Sequence, residues 1–436
     1  MPRSGIILAA ALAVLAGPIT GASAAAQETG QTITLERALE MALINNPQLA
    51  QSNASLINAG TTRQRAWGSF LPNVSMSSGS SLSSSQRFDQ NTQRIVTGSS
   101  TSYSAGLSAS YQLFQGGRKF HEMDRTASAY REAEARLHTQ RFSVMLQTRT
   151  LFLNALRQAD LMRVQEASLE RTAENHSISL ARFAADDATL SDTLRTLLDL
   201  SNARQSLLQA QNQLRTAQWS LGRQVGIGGP VVPIVPEAGL DPAPLRLSEA
   251  EIMALAESAS PAVRAAEEAT RVAQIAVNNA RSSYLPNLSM SSRYNWANQD
   301  RSFSGGSTSW GFSLSGSYTL FDGFGREASV SQANQSRRVS RLSEEDARRS
   351  VRQEVDAALR TLETQEQAIE IARASVLVAE ADLRIVRLRY QAEQNPILDV
   401  IVSQLALEQA EVNLVAARYD YAIAKAELES IIGVEL

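Results

Sequence analysis

The chain has 436 residues, enough for two or three ordinary domains, and its 41 basic and 44 acidic side chains nearly balance, which gives no support for a nucleic-acid binder. It contains no cysteine, so disulfides and a lipid-attachment cysteine are excluded. Aromatic residues make up only 6%, which favours long helices with thin apolar seams over a thick globular core.

Residues 1–26 have the pattern of a secretory signal peptide. Arg3 is the basic start, an apolar core spans 6–16, and alanines 24–26 offer a cleavage site for signal peptidase. The apolar run is shorter than the roughly 18 residues that a membrane-spanning helix needs. No later stretch reaches that length either, so the sequence predicts an exported protein that enters a membrane only as strands, if at all.

Two short helical patterns follow the signal. The first spans about 34–50 and is stopped at Pro47, and the second spans about 48–70 and stops before Pro72. A proline pushes the residue before it out of the helical region, which accounts for both stops.

The first pair of strands is predicted at about 72–84 and 102–114, with a polar loop at about 84–101 between them. In the second strand, apolar side chains alternate with serine and other small polar residues, which gives one apolar and one polar face. The strand ends in Leu-Phe, and a turn at Gly116 and Gly117 then leads into a helix.

The helix that follows is unusually long, because no glycine or proline occurs from about 118 to 184. Its length would be on the order of 100 Å at 1.5 Å per residue. A polar break precedes a second helix at about 191–221. Residues 227–247 hold five of the twelve prolines of the chain and are interpreted as a linker.

The second half of the chain, residues 248–436, repeats the order of the first, residues 27–226. The segment GSFLPNVSMS in the first half is answered by SSYLPNLSMS in the second. Strands are again predicted, at about 286–297 and 309–321. We interpret the two halves as an internal duplication.

After the second pair of strands, a turn at Gly323 and Gly325 leads into another long helical pattern that ends near 391. The last helix is predicted at about 397–432, with Asn395 as its N-cap and a proline at its first position.

Four strands from one chain cannot close a barrel in lipid. Bacterial barrels begin at about eight strands, and an open sheet edge would leave backbone groups without hydrogen bonds. Several chains would therefore share one barrel, with all the long helices on the same side of the membrane. An ordinary soluble sheet with one wet face is the alternative.

The duplicated Leu-Pro strand entry, the Leu-Phe-(Asp/Gln)-Gly-(x)-Gly-Arg strand exit and the Arg-(Phe/Tyr)…Asp helix break resemble the TolC family of outer-membrane efflux and secretion channels. The resemblance covers essentially all of the mature chain. It implies a membrane α+β fold, in which a homotrimer shares a 12-stranded β-barrel, with four strands per chain. A long periplasmic α-helical coiled-coil barrel would continue it.

By the same resemblance, the protein is the exit duct of a tripartite efflux or type I secretion system in the outer membrane of a Gram-negative bacterium. It would passively conduct substrates delivered by an inner-membrane transporter of the ABC, RND or MFS type and a periplasmic adaptor, the membrane fusion protein. The alternative is a soluble periplasmic coiled-coil adaptor or scaffold protein.

The resemblance also makes the helix breaks the periplasmic entrance. Arg182 then corresponds to Arg389, and Asp192 corresponds to Asp399. Our hypothesis is that three copies of each aspartate form an acidic ring whose repulsion strains the closed state. Contacts from Arg182, Arg389 and Tyr390 would hold the entrance shut. Alternatively, both aspartates are solvated residues at positive helix starts.

Members of the family often carry glycine four residues after each of these arginines. This chain has Asp186 and Glu393 there, which leaves the shape of the tip turn and the adaptor contacts open.

No catalytic, cofactor or metal site is predicted. The histidines, at 121, 138 and 176, are too far apart for a metal pair. The Gly-x-Gly-x-x-Ala pattern at 323–328 imitates a dinucleotide fingerprint, but the strand before it alternates, whereas a buried parallel strand would be apolar throughout. We therefore expect neither an enzyme nor a cofactor.

Overall fold

The computed structural model describes residues 31–90, 93–235, 247–302 and 304–434. The signal peptide predicted at 1–26 lies outside the described residues and stays a prediction.

In the described residues the chain forms eight α-helices: α1 (Leu35–Asn45), α2 (Pro47–Gly68), α3 (Arg118–Ala184), α4 (Leu190–Val225), α5 (Glu249–Ala259), α6 (Pro261–Arg281), α7 (Gly325–Gln391) and α8 (Ile397–Ile432). The same ranges contain six strands: β1 (Gln31–Ile33), β2 (Asn73–Asp89), β3 (Arg94–Gln115), β4 (Val231–Pro233), β5 (Asn287–Asn298) and β6 (Ser307–Ser317).

The two long helices have equal lengths. Both α3 and α7 have 67 residues, and the helices that follow them, α4 and α8, both have 36. At 1.5 Å per residue α3 and α7 each extend for about 100 Å. Equal lengths at equivalent places support the interpretation that the two halves arose by duplication.

The helices pack around thin apolar seams instead of one thick core. One cluster, which joins α1, α3, α4 and α8, includes Phe152, Leu221 and Tyr419. A second cluster joins α5, α7 and α8, and a third lies where α7 ends and α8 begins. Because α3 packs against both α4 and α8, and α7 packs against α8, these seams join the two halves side by side.

Polar contacts tie α8 to α3 along the same seam. The Tyr419 hydroxyl donates a hydrogen bond to Asp160 Oδ2 at 2.7 Å. Burial and this hydrogen bond raise the pKa of the Tyr419 hydroxyl. Further along the two helices, Arg149 and Glu429 form a largely buried ion pair.

Helix α8 corrects one expectation. Among the described residues it is long and apolar enough to cross a membrane by length and composition, although no stretch after the signal was expected to be. In the fold it packs against α7 and α3, and Val400, Leu407 and Leu428 on it are buried. The buried apolar side chains of α8 therefore belong to the helical core.

A second correction concerns the linker predicted at 227–247. Its first part contains β4, which pairs in parallel with β1, so that Gln31 faces Val231. Ile33 and Val231 are buried in this two-stranded sheet. A three-residue strand with a distant parallel partner has no periodicity that a sequence reader could detect.

The four remaining strands form an antiparallel sheet in the order β2-β3-β5-β6. The polar loop predicted at about 84–101 is wrong, because most of it belongs to β2 and β3. Tyr103 on β3 pairs with Asn298, the last residue of β5. The pairing of β2 with β3 continues beyond this point to the pair Asp89 and Arg94. The hairpin therefore extends about 30 Å beyond β5 at 3.3 Å per residue.

Strand β6 is shorter than the predicted 309–321, since it ends at Ser317, which pairs with Asn287. The residue before Asn287 is Pro286, which has no N–H to donate, so β5 offers β6 no further partner.

Phe152 is fully buried in the cluster that joins α3, α4 and α8. We expect Phe152→Ala to lower the free energy of unfolding by about 3–5 kcal/mol, because it leaves a cavity in a thin seam. Denaturant titration followed by circular dichroism measures this change. Phe88→Ala is the matched control, because Phe88 on β2 is 58% exposed and its truncation should cost under about 0.5 kcal/mol. Equal losses from the two variants would contradict the assignment of the core.

Candidate functional site

The four-stranded sheet has one apolar and one polar face where all four strands pair. One apolar row across the strands consists of Met76, Leu107, Tyr294 and Trp310. The adjacent row, on the opposite face, consists of Ser75, Ser108, Arg293 and Gly311. In the apolar row Trp310 is 80% exposed. An apolar face of this kind, left uncovered by the chain itself, indicates contact with lipid or with another molecule.

The polar face is lined by small hydroxyl and amide groups. The Ser75 and Ser108 hydroxyls share a hydrogen bond of 2.8 Å across the β2–β3 pair. A Cβ atom added to Gly106 would lie 3.1 Å from Asn295 Oδ1 and 3.5 Å from Ser77 Oγ, so these three residues share this face. Hydroxyl and amide groups on this face can form hydrogen bonds with water, so the face can border a water-filled space.

Both outer edges of the sheet are open. Within the described residues β2 pairs only with β3, and β6 pairs only with β5. In a bilayer the unpaired N–H and C=O groups of these edges would find no water. The sheet can therefore enter lipid only if strands from other chains cover both edges.

Two glycines turn β3 into α3. Gly116 and Gly117 have φ angles of 61° and 81°. A Cβ atom at Gly116 would lie 2.5 Å from the carbonyl oxygen of Ser282, which excludes a side chain there.

The equivalent turn between β6 and α7 is built differently. Gly323 and Phe324 take the left-handed conformation, with φ of 68° and 67°, and Gly325 is already the first residue of α7. Arg326 fixes this turn, because its guanidinium pairs with Asp322 at 3.4 Å and donates to the carbonyl oxygen of Leu320, which lies beyond the end of β6.

Asp186 and Glu393, at the far ends of α3 and α7, occupy the glycine position of a Schellman turn. Their φ angles are 65° and 60°. In each turn the next amide donates to a carbonyl one turn back, that of Arg182 at 2.9 Å or that of Arg389 at 2.8 Å. The tip keeps the left-handed turn although both residues have side chains, at a strain of about 1–2 kcal/mol each.

One arginine joins the two tips. Arg182 Nη1 donates to the Tyr390 carbonyl oxygen at 2.9 Å, and the guanidinium lies 4.8 Å from the centre of the buried Tyr390 ring. Arg182 Nη2 also lies 3.6 Å from the Glu393 carboxylate. The side chain of Arg389 is exposed and has no hydrogen bond or ion pair with the described residues. The structure therefore brings together Arg182 and Tyr390 of the predicted set, but not Arg389.

The two aspartates of the entrance hypothesis have local partners in the chain. Asp192 Oδ2 accepts from the Thr189 hydroxyl at 2.8 Å and from its amide at 3.3 Å, which completes a capping box on α4. Asp399 Oδ2 accepts from Asn395 Nδ2 at 2.8 Å. These contacts are compatible with the helix-start alternative, and a ring would need further chains. Asn395 is not the N-cap of α8, because that position is taken by the proline after it.

Behind the tips lies a polar cavity of about 230 Å³ between α3, α4 and α8. Across it Asn175 Nδ2 donates to Gln404 Oε1 at 2.6 Å, and the Ser168 hydroxyl donates to Glu408 at 2.5 Å. Burial raises the pKa of the Asp199 carboxyl, whose Oδ2 has no hydrogen-bond partner among the described residues. Sequence analysis missed this layer because isolated polar residues in long helices resemble surface positions. Buried polar groups of this kind add little net stability, but a shifted helix register would leave them without partners.

The strain at the tips leads to a prediction. We expect Asp186→Gly and Glu393→Gly each to raise the free energy of unfolding by about 0.5–1 kcal/mol, because glycine adopts the left-handed conformation without a Cβ clash. Guanidinium titration measures the change. The control is Asp187→Gly, which replaces the next residue, whose backbone is not left-handed, and should destabilise by about 0.5 kcal/mol. Destabilisation by all three substitutions would contradict the strain at the tips.

Comparison with known proteins adds to this geometry. A family model described as "Outer membrane efflux protein" matches residues 38–226 and 252–434. Protein CyaE of Bordetella pertussis is 25% identical over 382 residues, which cover 83% of this chain and 71% of that protein.

Solved structures share the fold. A membrane protein from Pseudomonas aeruginosa aligns with a TM-score of 0.80 at 21% identity, covering 92% of this chain and 90% of that one. The CmeC outer membrane channel of Campylobacter jejuni aligns with a TM-score of 0.80 at 16% identity, covering 97% of this chain and 94% of the other. The open state of the Neisseria gonorrhoeae MtrE outer membrane channel aligns with a TM-score of 0.76 at 20% identity, covering 92% and 89%.

Proposed function

Because this chain belongs to the outer membrane efflux protein family, we propose that three copies of it close one 12-stranded barrel, which a helical barrel continues into the periplasm. The chain itself is an outer-membrane channel protein, the exit duct of an efflux or secretion system. The family is one of channels and not of enzymes. The soluble adaptor considered from the sequence is not favoured.

A single observation carries the proposal of a shared barrel. The four-stranded sheet has an exposed apolar face, a hydroxyl-lined face and two open edges. Joining β6 of one chain to β2 of the next would satisfy both edges, turn the apolar face to lipid and enclose the hydroxyl face around water. Three chains with four strands each would give an even-numbered barrel with a lumen.

The helices support the same arrangement. Exposed apolar side chains on α4 and α7 mark the faces that α3 and α8 leave uncovered; they include Leu194, Leu198 and Leu208 on α4, and Val339, Leu377 and Ile385 on α7. In a trimer, α4 of one chain would pack against α7 of the next and bury these two rows together.

The helix tips would form the periplasmic entrance, where a periplasmic adaptor and an inner-membrane transporter engage the duct. In the closed state Arg182 would hold the ends of α3 and α7 together through Tyr390. Asp192 and Asp399, in three copies each, would narrow the entrance and favour cations there. Asp186 and Glu393 would present carboxylates to the adaptor at positions where a glycine would present only backbone.

The first experiment tests the trimeric channel. Detergent-extracted protein should resist carbonate washing of membranes, have the mass of a trimer and give discrete conductance steps in planar bilayers. Leu198→Glu should shift the mass towards the monomer and abolish the steps, because it places a charge in the proposed α4–α7 contact. Leu198 is 61% exposed in the single chain, so its own fold should not suffer.

Gln213→Glu is the matched control, because Gln213 is exposed on the same helix but lies about 100° around it from the leucine row; this variant should keep both the trimer and the conductance. A monomer without conductance or membrane retention in the unsubstituted protein would refute the channel arrangement and favour a soluble scaffold.

The second experiment tests the acidic entrance. Asp192→Ala and Asp399→Ala should lower single-channel conductance, because carboxylate repulsion no longer strains the closed state and fewer cations enter, and should weaken block by a trivalent cation from the helical side by about an order of magnitude, since each removes three carboxylates. Asp187→Ala, at the same tip, is the charge-matched control. If the aspartates only cap helices, Asp192→Ala should instead lose about 1 kcal/mol of stability with unchanged block. That outcome would end the proposal of an acidic ring.

A further inference from the structure

The barrel region has a nearly neutral composition. In the rows where β2, β3, β5 and β6 all pair, the described residues are 73–79, 104–110, 291–297 and 307–313. They are mainly serine, alanine, glycine and aromatic residues. Arg293 is the only charged residue among them. A lone charge at membrane depth is costly and usually functional, so it requires an explanation.

The register places Arg293 on the polar face. It faces Ser108 on β3 and Gly311 on β6. The next residue, Tyr294, lies on the opposite face between Leu107 and Trp310. An arginine on the lipid face at mid-depth would cost about 2–4 kcal/mol. If the apolar face meets lipid, Arg293 extends into the water of the lumen.

Its depth along the strand is central. Strand β5 runs from Asn287 to Asn298, so Arg293 lies about 20 Å from the start and about 17 Å from the end, at 3.3 Å per residue. With a strand tilt of about 40°, this is close to the middle of an apolar band about 25 Å tall. Arg293 therefore lies in the membrane-spanning part of the duct and not at its mouth.

The guanidinium is also free to act on solutes. Arg293 is exposed and has no hydrogen bond or ion pair with the described residues. No carboxylate occurs in the shared rows, and a Cβ atom added to the facing Gly311 would meet nothing within 4 Å.

We propose that three Arg293 guanidinium groups, one from each chain, form a cationic ring halfway along the barrel, which attracts anionic solutes and repels cations. This inference rests on the trimeric channel proposed above. It gives the duct charges of opposite sign in its two parts, with carboxylates at the helix tips and guanidinium groups within the membrane. The solutes that it favours in the barrel are those that carry carboxylate, phosphate or sulfate groups.

The strength of the effect follows from the size of the barrel. In a 12-stranded barrel the ring would lie on the order of 10 Å from the axis. Three unit charges at that distance in water change the local concentration of a monovalent ion by about an order of magnitude without salt, and by about two- to fivefold at moderate ionic strength.

The test uses the full trimer in planar bilayers under a KCl gradient. Arg293→Gln should lower the chloride-to-potassium permeability ratio by about four- to 25-fold, because the ring raises the local chloride concentration and lowers the local potassium concentration by about two- to fivefold each, and Arg293→Glu should lower the ratio further. Arg293→Lys keeps the charge and should keep the ratio. Arg301→Gln is the matched control, because it removes an exposed arginine from the loop that follows β5, outside the shared rows.

The charged residues at the entrance also affect ion selectivity. A second measurement is therefore chosen that reports on the charges of the barrel alone. Tripolyphosphate added from the barrel side should block the unsubstituted channel, and Arg293→Gln should weaken that block by several-fold while total conductance stays similar.

The outcomes separate the two proposals. Channels with unchanged selectivity and unchanged block in both Arg293→Gln and Arg293→Glu would overturn the cationic ring and leave the trimeric duct standing. Failure of the unsubstituted protein to form channels would overturn both. If Arg293→Glu does not insert, Arg293→Gln and Arg293→Lys still decide the question, because one removes the charge and the other keeps it.

Discussion

Backbone hydrogen bonding in lipid is the constraint on which the rest of this structure depends. Strands β2 and β6 each leave one edge without a partner in the described chain. Water could satisfy such edges in a soluble protein, but a bilayer cannot. A single copy is therefore incomplete as a membrane structure, although its helices pack well. In the proposed trimer, oligomerisation would be part of folding, and the stability of the sheet in a membrane would belong to the assembly.

The two halves are similar in order but not in their contacts. The left-handed pair of residues after β3 consists of two glycines, whereas the pair after β6 includes Phe324. At the tips, Arg182 contacts Tyr390 within the chain, whereas Arg389 has no such partner among the described residues. In the proposed trimer, each half of one chain would meet the other half on one side and another chain on the other side. Equivalent positions thus face different surroundings, which allows their side chains to diverge.

Much of the helical architecture could be predicted from the sequence, because glycine and proline mark its limits. The helix predicted at 118–184 is found there, and the last helix also has its predicted limits. The turn at Gly116 and Gly117 was predicted for the same reason, whereas the second turn is formed by Gly323 and Phe324, and Gly325, predicted as its second glycine, is the first residue of α7. The hairpin between 84 and 101 was mistaken for a loop, since a serine-rich segment resembles a linker in composition until its partner strand is known. The β1–β4 pair depends on residues 200 positions apart and has no local signal.

The site was less accessible to sequence reasoning. The contact of Arg182 with Tyr390 arises because α3 and α7 both pack against α8 and end side by side, which periodicity does not report. Arg293 can be seen in the sequence, but the alternation of apolar residues in β5 gives no reason to single out the charged residue between them. Its functional interest becomes apparent only once the strand register places it on the polar face of the sheet, opposite Ser108.

The equal lengths of α3 and α7 have an evolutionary consequence. Both helices start beside the sheet and both end at the joined tips, so their lengths must match. Removal of seven residues from one helix would shorten it by about 10 Å and separate Arg182 from Tyr390. The same removal from both helices would keep the two tips in contact. Insertions and deletions in these helices should therefore be inherited in matched pairs, so that a duct of another length evolves by parallel steps in its two halves.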